Sequence, residues 1–198
     1  RRIVYEVNGL PSIELKYHYP NVADDVELLQ KLVTQEQCCL EAADLIVTVS
    51  RVTAELIEAR GVAPSRIRVI PNGVEPDLFP YHQPAPIRAN EEMQLLYCGT
   101  LAAWQGTMLA VDALALYRRD YPARLTFVGE ARARQLRDLR DYAYTRGVAD
   151  AVEVIPPVPQ AELGGLYRRS HAALAPLRAN DRNTVQGCCP LKVLEAMA

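Results

Sequence analysis

The 198-residue chain has no uninterrupted apolar run of about 18 residues, so no stretch of it reads as a membrane-spanning helix. It also lacks net charge of either sign. With 22 Lys and Arg against 24 Asp and Glu, the formal charge is −2, which gives no broad positive field for a polyanion, and nucleic acid is not expected as a partner. Metal-ligand spacing is missing too. The five cysteines stand as Cys38 with Cys39, Cys188 with Cys189, and Cys98, at neither zinc-ligand nor C-x-x-C spacing. His18 and His82 have no partners at metal spacing, and His171 at the start of a strand reads as a packed histidine. Asp24-Asp25 reads as a helix start rather than a metal-binding acidic pair. None of these residues reads as a metal site, and no cofactor is read from the sequence. A reducing, cytoplasmic setting is the simplest one for these thiols, and peripheral contact with the inner face of a membrane, through a part outside this sequence, stays open. The chain opens on Arg1 and stops within an apolar-periodic helix at 191–198 that has no capping signal, so both ends read as cut.

What is present is the composition of a globular protein, 49% apolar and 23% charged. Periodicity predicts a strand over 3–7 closed by Asn8-Gly9 and Pro11, a helix capped by Asp24 and running to about 43, a strand over 45–49, a helix over 53–60 and a strand over 67–70. Residues 71–93 hold five prolines and read as a linker. The alternation then resumes with strands over 95–98, 125–128, 152–155 and 172–175, helices over 106–121, 132–146 and 160–169, and a last helix from Pro190. Strands alternating with helices imply βαβ crossovers and parallel sheets buried on both faces, an α/β protein in two units, 1–90 and 91–198.

Ligands of open parallel sheets bind beyond the carboxyl ends of the strands, which directs attention to the loops 99–106, 129–132, 156–159 and 176–189. The last leads into Pro190-Leu191-Lys192-Val193-Leu194-Glu195. Proline is preorganised for a first helical position, and free N–H groups at a helix start suit an anion such as a diphosphate. Lys192 and Glu195 share a helix face, so a carboxylate would stand one turn above the anion, placed for ribose hydroxyls. The plainer alternative is a surface helix with an i,i+3 ion pair. Arg178 and Arg182 add positive charge to the same loop. The spacing of Gly99 and Gly106 is not that of a dinucleotide fingerprint.

The run from Pro190 to Ala198 resembles the end of the E-x7-E donor motif of the retaining GT-B glycosyltransferases of the family 4 type, the glycosyl transferases group 1. Other segments agree in order and spacing. Ala43-Asp44-Leu45-Ile46-Val47-Thr48-Val49-Ser50, followed by Ile70-Pro71-Asn72-Gly73-Val74-Glu75 up to Phe79, is similar to the family's last acceptor-lobe strands and hinge. Tyr97-Cys98-Gly99-Thr100-Leu101 through Trp104-Gln105-Gly106 is similar to its first donor-lobe loop, and 125–130 to the next strand and loop. The resemblance implies a GT-B fold with Rossmann-like parallel sheets, here truncated. Residues 1–90 would be the end of the acceptor lobe plus hinge, and 91–198 an incomplete donor lobe. It implies a donor site drawn from Gly99, Thr100, Leu101, Gln105, Gly106, Glu130, Val158, Gln186, Gly187, Pro190, Leu191, Lys192 and Glu195. The diphosphate would lie at the Pro190 helix, the ribose on Glu195 and the base against 156–159.

The sequence departs from the family pattern at three places. The first glutamate of E-x7-E falls on Gly187, with Gln186 the nearest substitute, and the usual loop arginine and lysine are Thr100 and Gln105. The function implied is transfer of a hexosyl unit, with retention, from a UDP- or GDP-sugar to a saccharide or lipid-linked acceptor, as in polysaccharide biosynthesis. The 198 residues alone are expected to be inactive. The alternative is a noncatalytic nucleotide-sugar-binding piece.

Overall fold

Short β-branched runs alternating with amphipathic helices resolve into two parallel sheets in a computed structural model, which describes residues 1–83, 87–88 and 91–198. The chain divides into two compact units. The first comprises Arg1–Asn72 with Ala179–Pro190, and the second Gly73–Arg178 with Leu191–Ala198. No helix among the described residues is long and apolar enough to cross a membrane.

In the first unit, β1 (Val4–Val7), β2 (Leu45–Thr48) and β3 (Ile67–Val69) lie side by side in that order, all parallel. Three helices belong to it, α1 (Pro11–His18), α2 (Val26–Ala42) and α3 (Arg51–Ala59). Val7, Leu10, Leu40, Ile46 and Ile57 form the centre of its core. Local chemistry sets the helix starts. Asp25 Oδ1 accepts the Leu28 N–H at 2.9 Å, and Ser50 Oγ accepts that of Thr53 at 3.1 Å. The cap is thus Asp25 rather than the expected Asp24, and α3 begins two residues before the predicted 53. The helix α1 replaces the turn read from Asn8-Gly9 and Pro11; it has no side-chain cap, and Pro11 supplies its first residue.

In the second unit the chain forms β4 (Met93–Cys98), α4 (Thr107–Tyr117), β5 (Ala123–Val128), α5 (Ala133–Thr145), β6 (Val152–Ile155), α6 (Gln160–Arg168), β7 (Ala172–Ala173) and α7 (Leu191–Met197). The sheet order is β6-β5-β4-β7, again all parallel. Its strands are apolar on both faces, as expected of a parallel sheet covered by helices. Leu95, Tyr97, Leu125 and Phe127 face a core with α4 and α5, while Leu96, Cys98 and Val128 pack against α6. The chain moves outward from β4 to β6 and then returns to the other side of β4. Strand order therefore reverses between β4 and β7, the place where such sheets open a crevice at their carboxyl ends.

The expected boundary at residue 90 differs from this division. Residues 84–86 and 89–90 lie outside the described residues, so that part of the linker reading is not described. What is described binds to the second unit. A Cβ on Gly164 of α6 would lie 2.3 Å from the carbonyl oxygen of Leu78, and Phe79, 4% exposed, meets Tyr167 edge-on at 5.8 Å. The proline-rich segment is thus packed against α6 by its first apolar residues. The strand expected over 172–175 keeps only two paired residues.

Two further glycines fix the loops beyond β4. A Cβ on Gly129 (φ +149°) would lie 2.1 Å from the carbonyl oxygen of Gly99, and one on Gly106 (φ +80°) 1.7 Å from that of Pro176. Gly129→Ala combines an unfavourable backbone region with a clash against main chain, and should cost roughly 2 kcal/mol or more of stability. Chemical denaturation checks this; an unchanged midpoint would show that the two loops do not press together.

Candidate functional site

The reversal of strand order brings the loop after β4 and the residues just after β7 together in the second unit, at the end of the sheet where open parallel sheets bind ligands. Gly106 in the left-handed region ends one 3-10 turn, Ala103–Gln105, and precedes α4. It lets Pro176 approach main chain to main chain. Gly99, also at positive φ (+135°), leaves room for a side chain from α7: a Cβ there would stand 3.2 Å from Lys192 Nζ.

Lys192 is the cation of this crevice. Its Nζ lies 4.1 Å from the centre of the Tyr97 ring, and donates to Gln105 Oε1 at 3.3 Å. A ring face and an amide oxygen both favour an ammonium without neutralising it. Tyr97 is fully buried, and burial pushes its hydroxyl well above the ordinary range, so it stays protonated. That hydroxyl donates to the Thr100 carbonyl at 2.9 Å, holding the start of the loop over the strand end.

One turn further along α7, Glu195 Oε2 accepts from the Tyr167 hydroxyl at 2.9 Å, and the same hydroxyl lies 3.3 Å from the Lys192 carbonyl. Beneath it, burial raises the thiol of Cys98, which is 7% exposed, above its usual value. Cys98 therefore sits in the floor as a protonated apolar group. Chemically, the second unit offers an ammonium for an anion and, three residues on, a carboxylate for hydroxyl donors.

The other residues singled out in the sequence fall into three groups. Thr100 and Glu130 are exposed, and the Glu130 main-chain oxygen accepts the Leu101 N–H at 2.9 Å, so these loops are bonded through their backbone. Leu101 is 3% exposed in the core and Val158 packs under α6, which leaves their main chain rather than their side chains for a ligand. Gln186, Gly187 and Pro190 belong to the first unit. There Gln186 is 1% exposed, its Oε1 accepts the Leu10 N–H at 2.8 Å, and its Nε2 donates to Glu14 at 2.8 Å.

Gln186, expected as the nearest substitute for the missing carboxylate, is thus held as a bracket within the first unit. The missing carboxylate itself has a physical reason. Gly187 sits at φ +81°, and a Cβ would come within 2.6 Å of Ser50 Oγ and 2.7 Å of Val52 Cβ, so this backbone admits no glutamate. Arg182 likewise pairs with Glu14 at 3.0 Å within the first unit. The helix expected from Pro190 begins at Leu191, and Lys192 brings positive charge to its first turn. The exposed Leu191 contributes no apolar cover. Among the histidines, His171 accepts the Gln94 N–H on Nδ1 at 2.8 Å, as a packed histidine would. Tyr97 and Tyr167 escaped the sequence reading; the available signal was a tyrosine in an apolar stripe, whose hydroxyl must find a partner when buried.

Two family models cover most of the chain. Residues 92–198 match the glycosyl transferases group 1 and residues 2–78 match Glycosyltransferase Family 4. The chain belongs to the glycosyl transferases group 1. Among curated relatives, the D-inositol 3-phosphate glycosyltransferase of Acidothermus cellulolyticus is 32% identical, over 88% of this chain and 44% of its own length. Solved structures share the fold at lower identity. Sucrose-phosphate synthase from Thermosynechococcus elongatus superposes with a TM-score of 0.65 at 19% identity, covering 89% of this chain and 46% of that one. Anabaena HepE, solved with UDP and glucose, gives 0.61 at 15% identity, covering 87% and 45%. The fold is of the GT-B type, with Rossmann-like parallel sheets, and the chain spans less than half the length of these relatives.

In this group 1 glycosyltransferase chain, a ligand that carries phosphates but no hydroxyls tells the ammonium from the carboxylate. Inorganic pyrophosphate, which has no hydroxyl groups of a sugar, should bind roughly tenfold more weakly to Lys192→Met, the loss of one charge-assisted hydrogen bond, and equally well to Glu195→Gln. Calorimetry on the two variants checks the division. Equal losses would show that the two groups act as one.

Proposed function

We propose that residues 91–198 are the donor-binding part, and residues 1–90 the end of the acceptor-binding part with its hinge, of a retaining glycosyltransferase. It would move a hexosyl unit from a UDP- or GDP-sugar to a saccharide or lipid-linked acceptor. The observation that carries the reading is Lys192 and Glu195 on one face of α7, with the ammonium seated against Gly99 and Gln105 at the reversal of strand order. That pairing suits a nucleoside diphosphate, with the phosphates at Lys192 and the ribose at Glu195. The exposed edge of the loop 156–159 is then available to the base. Relatives point the same way: HepE was solved with UDP and glucose, and the curated relatives carry the name of a glycosyltransferase acting on D-inositol 3-phosphate.

In this reading the bond from the anomeric carbon to the diphosphate oxygen breaks as the acceptor oxygen bonds to the same carbon on the same face. The acceptor proton passes to the departing phosphate. The protein supplies placement and charge rather than a nucleophile. Because Thr100 and Gln105 are neutral where the family commonly carries cations, Lys192 stands against the developing phosphate charge with less help. Gln105 orients that ammonium. The same neutral residues, with Gly187, favour a second reading, a unit that binds nucleotide sugars without turnover.

Incubating the intact protein with UDP- and GDP-hexoses and following nucleotide release separates the two. Transfer predicts release that depends on acceptor, with the donor's anomeric configuration kept in the product by NMR. Lys192→Met should lower kcat by about 10²-fold, the scale of one preorganised charge-stabilising donor. Glu195→Ala should weaken UDP or GDP binding by roughly 1–3 kcal/mol. Tight nucleotide binding with no release under any acceptor would favour the second reading, and an inverted product would remove retention.

A further inference from the structure

Tyr167 is half-buried in the second unit and held through both its ring and its hydroxyl. Its ring packs with Leu96, Cys98 and Val128 and receives Phe79 edge-on, at 5.8 Å and 74° between planes. Its hydroxyl reaches two acceptors one turn apart on α7, the Glu195 carboxylate at 2.9 Å and the Lys192 carbonyl at 3.3 Å. Burial, with the neighbouring Glu195 carboxylate adding to it, drives the phenol far above its ordinary pKa, so the hydroxyl donates throughout the physiological range. A donor held this rigidly does more than stabilise a helix. It selects one orientation of a half-buried carboxylate that would otherwise swing among rotamers.

We propose that Tyr167 is a positioning residue that holds Glu195 in the orientation needed to accept the ribose hydroxyls, and so sets discrimination between ribonucleotides and deoxynucleotides. The inference rests on the reading of Glu195 as the ribose partner. A phenol on Oε2 leaves Oε1 and the remaining lone pairs of Oε2 for two vicinal hydroxyls. It also fixes the side chain before ligand arrives, which lowers the ordering cost of binding. The anchor continues to Phe79, so the α6 surface that receives the proline-rich segment also fixes the tyrosine ring.

The test measures binding of UDP and GDP, and of their 2′,3′-dideoxy counterparts, to the intact protein and to Tyr167→Phe and Glu195→Gln, with thermal melting as a check on folding. Tyr167→Phe keeps the ring and its packing and removes only the hydroxyl. The expected result is roughly tenfold weaker binding of the ribonucleotide, with the dideoxy analogue unchanged, so that ribose discrimination falls. Adding Tyr167→Phe to Glu195→Gln should cause no further loss. Equal weakening of both nucleotides would reduce Tyr167 to a structural role and overturn the proposal. So would additive losses in the double variant, which does not depend on the size of the single effect. If Glu195→Gln itself leaves ribose discrimination intact, the parent reading of Glu195 fails, and the proposal with it. If Glu195→Gln removes discrimination and Tyr167→Phe does not, only the proposal falls.

Discussion

Main chain pressed against main chain at Gly106 and Gly129 is the constraint on which the second unit's site depends. Where a methyl group would stand 1.7 Å from the Pro176 oxygen and 2.1 Å from the Gly99 oxygen, only glycine lets three loops meet beyond the ends of β4, β5 and β7. Those loops flank the point where strand order reverses. The crevice is therefore a product of topology, and the glycines determine how closely its walls approach. With them in place, Gly99 leaves space for one long side chain, and Lys192 fills it.

The chemistry of the site follows from a substitution of position rather than of kind. A loop that is neutral at Thr100 and Gln105 receives its positive charge from α7, over the ring of Tyr97. Such a cation is more fixed than one on a mobile loop, because Gln105 and the ring hold it from two sides. Glu195 is bonded to the Tyr167 hydroxyl, and the buried Cys98 contributes packing without charge.

Much of this was legible in the sequence, for a physical reason. The strands β4 and β5 are largely buried, so their apolar runs mark them out, and the punctuation at Gly99, Gly106, Gly129 and Gly147 fixes the loops. Helical spacing puts Lys192 and Glu195 on one face, which by itself left a surface ion pair equally open. Less legible were features that depend on contacts distant in sequence. The helix α1 has no capping side chain to announce it, and the Leu10-to-Gln186 hydrogen bond joins residues 176 apart. For the same reason the sequence suggested a ligand-facing Gln186 where the fold buries it. Phe79 read as part of a linker because its partner, Tyr167, lies 88 positions on. The resemblance to a family supplied the order of motifs, whereas the reason for Gly187 emerged only from Ser50 and Val52 crowding its Cα.

The most direct measurement of the central claim is a crystal structure of the intact protein with UDP or GDP bound. The account predicts a diphosphate oxygen within hydrogen-bond distance of Lys192 Nζ beside Gly99, and the ribose hydroxyls on Glu195 with the Tyr167 bond preserved. A nucleotide bound elsewhere, with Lys192 still on Gln105 and Glu195 untouched, would contradict it.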